Sequence, residues 1–318
     1  MRVKVITCPK GSKMEPEKFT ISQDNNRLIT PCLTLILYAS AHPREIKPGL
    51  QASFDAMLGW VGDGLKWYAM GNMKCQRAIE QDTLSQIQTR IKEHNFDKNP
   101  VLGIRMNSGN TREDNVSPAI DTESVAIKTV PPRNFIRLSF PVDRFIEGLQ
   151  PFADICWQLA KLYPFSSGYA GYGLYWHVPD TVSFREVRSS YRSWLLNYPG
   201  FIHGDDFANA AIEGIADVNW LTFVGSAYLD KLGGISAIRD QLPKTVTPEE
   251  IPGKGIVLRA GETPRLGDLT QGESVYAFGV IGDLLAPVQI EDDMLEDTWV
   301  EGLDPGEMST WLRRHFRR

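Results

Sequence analysis

An imidazole and two carboxylates fall within four residues at His203, Asp205 and Asp206, just past a helix stop at Pro199-Gly200. Such a set could hold a divalent cation, which would make the chain a metal-dependent hydrolase. The alternative is a polar turn with Gly204 at its bend and both aspartates capping a helix near Phe207–Ile212. No second ligand cluster completes a metal site. His-Glu-x-x-His is missing, and the other histidines, His42, His94, His177 and His315, are scattered. The polar turn is the preferred reading and the hydrolase the runner-up.

The remaining motifs for chemistry fail on spacing. Pro252-Gly253-Lys254-Gly255 lacks the length and hydroxyl of a phosphate loop, and Gly225-Ser226 is no nucleophile elbow. Gly168, Gly171 and Gly173 follow a helical pattern instead of opening one, which excludes a dinucleotide fingerprint. The aromatic run Tyr169–Trp176 suits sheet packing better than a ligand pocket. Arg185, Arg188 and Arg192 line one side of a helix and read as a solvated face. No catalytic residue, metal site or cofactor is expected.

With 318 residues, 42% hydrophobic and 23% charged, the chain has the make-up of a globular protein. A net charge of −5 argues against a broad nucleic-acid-binding face and favours a basic partner. The N-terminus has no apolar region of signal-peptide length, and no apolar run is long enough to span a membrane. Cys8, Cys32, Cys75 and Cys156 form no Cys-x-x-Cys pair, so reduced thiols in a cytoplasmic protein are expected.

Residues 1–28 are polar, lack a clear period and read as a partly ordered N-terminal extension. A first α/β subdomain is expected over 29–131, with strands at Cys32–Ala39, Lys66–Met70, Val101–Met106 and Ser124–Val130. Its helices are expected at Leu50–Val61 and after a capping Asp82, the latter burying Leu84, Ile87 and Ile91. A second subdomain, 132–290, starts with Asn134–Phe140, where Ile136, Leu138 and Phe140 alternate with Arg137 and Ser139. That alternation implies one wet face and an at least partly antiparallel sheet. Phe145, Leu149, Phe152, Cys156, Leu159 and Tyr163 are spaced as on a helix that kinks or begins at Pro151. A further helix, boxed by Ser183 and Glu186, carries Phe184, Val187, Tyr191, Trp194, Leu195 and Tyr198 on its buried side. Repeated strand–helix–strand units of this kind make an α+β fold, with helices packed on mixed or antiparallel sheets.

Residues 291–318 change character. Eight acidic residues and no basic ones lie between Glu291 and Glu307, before a short helix with Asp304 and Glu307 as its capping box. Glu291, Asp292, Asp293, Glu296 and Asp297, with Trp299 beside them, suit docking on a basic partner. The 17 residues Asn107–Glu123 are long for an idle connection and add Glu113, Asp114, Asp121 and Glu123 to the candidate contact.

Val218–Gly234 reads as a buried strand through Val224, a Gly225-Ser226 turn in which Ser226 can cap, and a helix broken at Gly233-Gly234. Downstream come a short strand, Gly255–Leu258, and the turn Pro264-Arg265-Leu266-Gly267-Asp268. Asn219-Trp220-Leu221, Leu232-Gly233-Gly234 and Gly267-Asp268 match the pattern "NWL-T-(F/L)-(L/V)-G…L…LGG" followed by Pro-x-x-Gly-Asp, so the chain resembles the type VI secretion immunity family. Nothing in these residues performs chemistry; they read as structural signatures. The resemblance covers about Leu33 to Val288. It implies a protein encoded beside a toxin, binding and neutralising that cognate effector by stoichiometric inhibition. The implied toxin is a nuclease of restriction-endonuclease-like fold, whose basic DNA-facing surface an acidic inhibitor can occupy. No nucleic-acid or membrane partner is expected, and the oligomeric state stays open.

Overall fold

Alternation along two neighbouring strands sets the centre of the fold. Leu33, Leu35 and Leu37 of β2 (Asn26–Ala39) stand opposite Phe140, Leu138 and Ile136 of β7 (Arg133–Pro141), and all are buried. The computed structural model describes residues 14–23, 25–71, 73–129, 131–176, 184–203, 214–290 and 303–316. The other strands are β1 (Ile21–Gln23), β3 (Trp67–Met70), β4 (Arg77–Ala78), β5 (Val101–Asn107), β6 (Ala119–Val125), β8 (Ser167–Trp176), β9 (Leu221–Gly225), β10 (Val246–Ile251) and β11 (Gly255–Ala260). They form one eleven-stranded sheet in the order β10-β11-β9-β8-β2-β7-β6-β5-β3-β4, with β1 paired to β2. Every strand pairing is antiparallel. The architecture is α+β, and the sheet runs unbroken across residues 131 and 132 because β7 lies between β2 and β6.

The helices follow their apolar stripes. Helix α1 (Pro43–Val61) buries Ile46, Leu50, Phe54, Met57 and Val61, and packs against β6, β7, α2 (Thr83–Glu93) and α3 (Gln150–Leu162). It starts seven residues before the expected Leu50, because Pro43 suits the first turn and His42 Nδ1 accepts a bond from the Arg44 amide at 3.3 Å. The internal Pro48 disguised that start. Asp82 precedes α2 without a side-chain capping bond; the Thr83 hydroxyl instead accepts from the Glu80 amide at 2.9 Å. Helix α3 starts at Gln150 with Pro151 in its first turn, so it begins at the proline instead of kinking there, and Phe145 sits apart in the turn Val142–Phe145. Four helices follow: α4 (Phe184–Asn197), α5 (Ser226–Leu229), α6 (Gly234–Gln241) and α7 (Tyr276–Leu285). Ser226 begins α5 and makes no capping bond. The last described helix, α8 (Pro305–Leu312), has the expected box, with Glu307 accepting the Asp304 amide at 3.2 Å.

Two expectations are corrected, and the N-terminal extension gains detail. The strand expected at 124–130 lies at Ala119–Val125, because Asp121 and Glu123 meet Arg105 and Arg133 on the neighbouring strands instead of needing solvent. The face of β7 expected to be wet is buried. There the Ser139 and Thr34 hydroxyls meet at 3.0 Å, while Arg137 donates to the Leu174 carbonyl at 3.0 Å and lies over the Tyr175 ring. Within residues 1–28, Pro16–Phe19 form a helical turn and Ile21–Gln23 a strand against β2. Phe19 is buried there, packed edge-on against Trp194, Tyr198 and Phe201.

Burial pushes the Cys32 thiol up to about 11. Cys32, Cys75 and Cys156 are free thiols, and Cys8 lies outside the described residues. No helix among the described residues is long and apolar enough to cross a membrane.

Candidate functional site

The β5–β6 connection shrinks to residues 108–118 once Asp121 and Glu123 join β6. It is pinned at both ends. Asp114, 1% exposed, takes both the Nε and Nη2 hydrogens of Arg27, at 2.9 and 2.7 Å, and the Arg27 and Asn110 amides at 2.8 and 3.0 Å. Burial alone would raise this carboxyl, but the Arg27 bonds and charge more than offset it and leave its pKa below the usual value. Asn115 donates to the Leu28 carbonyl, and Trp67 donates to the Gly109 carbonyl at 3.0 Å. Thr111 closes the tip onto Asn26 at 2.6 Å.

The four acidic candidates of this region therefore divide. Asp114 and Asp121 are internal; Asp121 is buried and accepts from Arg105 at 2.9 Å. Glu123 is half-buried, 3.3 Å from Arg133. Glu113 is half-buried and paired with Arg112, at the rim of an open hollow lined by Trp67. Sequence reading missed the arginines; Asp121 stands opposite Arg105 and Arg137 in the sheet, a signal for one of these pairs once the strands are placed.

Glu291, Asp292, Asp293, Glu296, Asp297 and Trp299 lie outside the described residues, but both flanks of their segment are firmly placed. Before it, Gln289 bridges to Ile215. After it, α8 is clamped to α4 by Arg192 on Glu307 at 2.8 Å and Arg188 on Asp304 at 3.3 Å, so those two arginines are not a purely solvated face. Trp311 donates to the Leu195 carbonyl at 3.2 Å. Arg314 donates to Asp217 at 2.9 Å and to the Pro199 carbonyl at 2.7 Å, and stacks on Trp311. Burial raises the Asp217 carboxyl, and Arg314 opposes that rise. His315, beside Arg314, donates to or accepts nothing charged; its Nε2 meets the Pro199 carbonyl at 3.0 Å, and burial depresses its pKa well below that of a free imidazole.

His203 is fully buried, with Nδ1 bonded to the Tyr191 hydroxyl and Trp311 edge-on to its ring. Asp205 and Asp206 lie outside the described residues, as does Ser183. Among the described residues no group of three His, Cys, Asp or Glu side chains gathers as metal ligands would.

The signature residues converge on the short segment after α4. Asn219 donates to the Gly200 carbonyl at 3.0 Å while its Oδ1 accepts the Trp220 amide at 2.9 Å. A Cβ at Gly171 would lie 2.0 Å from that oxygen, so the glycine makes room for the amide. Trp220 is fully buried, stacked near Phe152 and donating to the Gly261 carbonyl at 3.1 Å. Leu221 pairs in register with Arg259 and Ala170. Gly233 and Gly234 turn with φ of 81° and 84°. Gly267, at φ 69°, leads to Asp268, which caps a helical turn over Leu269–Gln271 and accepts the Tyr198 hydroxyl at 3.0 Å.

Comparison with known proteins agrees with this geometry. The model of the family TsiV, described as "Type VI immunity for VRR-NUC", matches residues 49–315. The solved structure of the Pseudomonas aeruginosa T6SS protein PA0821 superposes with a TM-score of 0.76 at 18% identity, covering 93% of this chain and 84% of that one. No curated protein matches. The match over most of its length establishes that this chain belongs to the TsiV family of type VI immunity proteins.

Proposed function

We propose that the chain neutralises a nuclease toxin of VRR-NUC type by binding it in a one-to-one complex, with no chemistry of its own. The family match over residues 49–315 carries this reading. The restriction-endonuclease-like fold expected of the toxin fits it, because such an enzyme must present basic residues to phosphate. Acidity supplies the complement. The segment Glu291–Glu307 holds eight negative charges against a net −5 for the whole chain, so the remainder is slightly positive and the attraction is local. The proposed contact therefore centres on Glu291, Asp292, Asp293, Glu296, Asp297 and Trp299, with Glu113 and Glu123 as solvent-reaching members of a second acidic rim. Asp114 and Asp121 support that rim from inside through Arg27 and Arg105.

Titration of the toxin encoded beside this chain tests the reading. Nuclease activity should fall linearly and end at one equivalent of the protein. Silencing at a small fraction of an equivalent would mean that the protein turns the toxin over catalytically, and unchanged activity at excess would remove the immunity reading. Asp205→Asn with Asp206→Asn should inhibit as well as the parent chain; loss of inhibition in that folded variant would revive the hydrolase.

A further inference from the structure

The Pro-x-x-Gly-Asp turn has a consequence beyond fold maintenance. Residues 267–275 close on themselves. The Asp268 carbonyl accepts the Glu273 amide at 3.0 Å, the Leu269 carbonyl accepts the Gly272 amide at 3.1 Å, and a Cβ at Gly267 would lie 3.5 Å from the Val275 nitrogen. Such compact loops with adjoining ends are rigid and often functional. Asp268 does the holding. It takes the Thr270 amide at 3.0 Å and the Thr270 hydroxyl at 2.6 Å, together with the Tyr198 hydroxyl. On this loop and at the first residue of α7 beyond it stand Leu269, 50% exposed, and Tyr276, 62% exposed, two of the few large apolar side chains in solvent among the described residues.

The same loop adjoins the clamp that ends the acidic segment. Gly267 faces the Pro199 ring, and the Gly200 amide donates to the Leu266 carbonyl at 2.8 Å. Pro199 also receives Arg314 and His315 from beyond α8. Helix α7, which Tyr276 opens, packs on that terminus through Phe278 against His315, with ring centroids 5.4 Å apart. Two exposed apolar groups thus sit on, and next to, a preorganised loop held by Asp268, which also faces Lys18 at 3.7 Å, beside the C-terminal flank of the chain's one strongly acidic segment.

From this we infer that Leu269 and Tyr276 are apolar anchors for the basic face of the nuclease toxin, an inference that rests on the immunity reading above. Acidic groups speed encounter with a basic surface, whereas anchors buried at the centre of an interface slow release. Tyrosine on a rigid loop suits that task, giving large contact area at little entropic cost. The signature Gly267-Asp268 then shapes the loop that grips the partner.

Surface plasmon resonance with the full chain and the catalytically inactivated toxin tests this. Leu269→Asp with Tyr276→Ala should weaken binding by at least about tenfold, chiefly through faster dissociation, with an unchanged melting temperature. Ile146→Asp, at the exposed apolar residue near α3, should bind as the parent does. Three outcomes overturn the inference while leaving immunity intact: parent-like affinity in the double variant, equal weakening by Ile146→Asp, or a double variant that only abolishes self-association. Failure of the parent chain itself to bind the toxin would overturn both.

Discussion

Replacing Asn219 by alanine tests whether the signature acts by holding structure. The side chain serves two buried backbone groups, the Gly200 carbonyl and the Trp220 amide, at 3.0 and 2.9 Å. Alanine leaves both without these partners. A buried orphaned polar group costs about 1–3 kcal/mol, so two cost about 2–4 kcal/mol once partial relaxation is allowed. Against a typical total stability of about 5–15 kcal/mol that is a large share. With a urea m-value of roughly 3 kcal/mol/M, the unfolding midpoint should drop by about 1 M at constant m. Toxin affinity of the remaining folded protein should be unchanged, because Asn219 is fully buried.

Gly171 supplies the decisive control. Alanine there would place a Cβ 2.0 Å from Asn219 Oδ1, so Gly171→Ala alone should destabilise by forcing the amide off its partners. Once Asn219 is already alanine, that collision is gone. The double variant should therefore be markedly more stable than the sum of the single losses predicts. An unchanged midpoint in Asn219→Ala, or strictly additive losses, would refute the argument that this amide is the staple.

Two further outcomes follow from the charges. His315 is buried neutral with a depressed pKa, so only the unfolded chain takes up a proton below about pH 6.5, and stability present above that pH is lost as pH falls. His315→Gln should reduce the loss between pH 7.5 and 5.5 by about 1.4 kcal/mol in urea unfolding; identical pH profiles would disprove the assignment. Neutralising Glu291, Asp292, Asp293, Glu296 and Asp297 to Asn or Gln should slow association with the toxin several-fold at low salt and less at high salt. Unchanged association rates would place the steering field elsewhere.

Strong periodicity was legible wherever packing decided the outcome. The stripes of α1 and α3 led to buried faces because each apolar residue had one side to hide on, whereas the alternation in β7 pointed to a wet face that the fold covers on both sides. Polar residues misled wherever their partners were distant in sequence. Asp121 and Glu123 read as loop, yet cross-strand arginines make a β-strand tolerable there. Asp114 read as surface charge, yet Arg27, 87 residues away, turns it into a strut. Helix α7 escaped notice although Phe278, Ile281 and Leu285 carry a helical stripe, because Gly279 and Gly282 interrupt it. Gly282 is needed there: a Cβ would lie 1.8 Å from the His315 carbonyl.

The same pairing logic bears on how, on the proposed reading, a modestly acidic chain would direct a basic partner to one place. Internal carboxylates such as Asp114, Asp121 and Asp217 are each met by an arginine, so their charge is largely cancelled at the surface. What remains uncancelled by its own sequence is Glu291–Glu307, and even there Asp304 and Glu307 are spent on Arg188 and Arg192 to fix α8. The carboxylates of that clamp set where the segment re-enters the fold; those before it would supply the field on the proposed reading. On the proposed reading, steering falls to the acidic segment and anchoring to the apolar pair, and the described C-terminal flank of that segment meets the loop of Leu269 through Tyr198–Gly200. An interface built this way loses association rate when its charges are removed and residence time when its anchors are removed, and the two losses are separable by experiment.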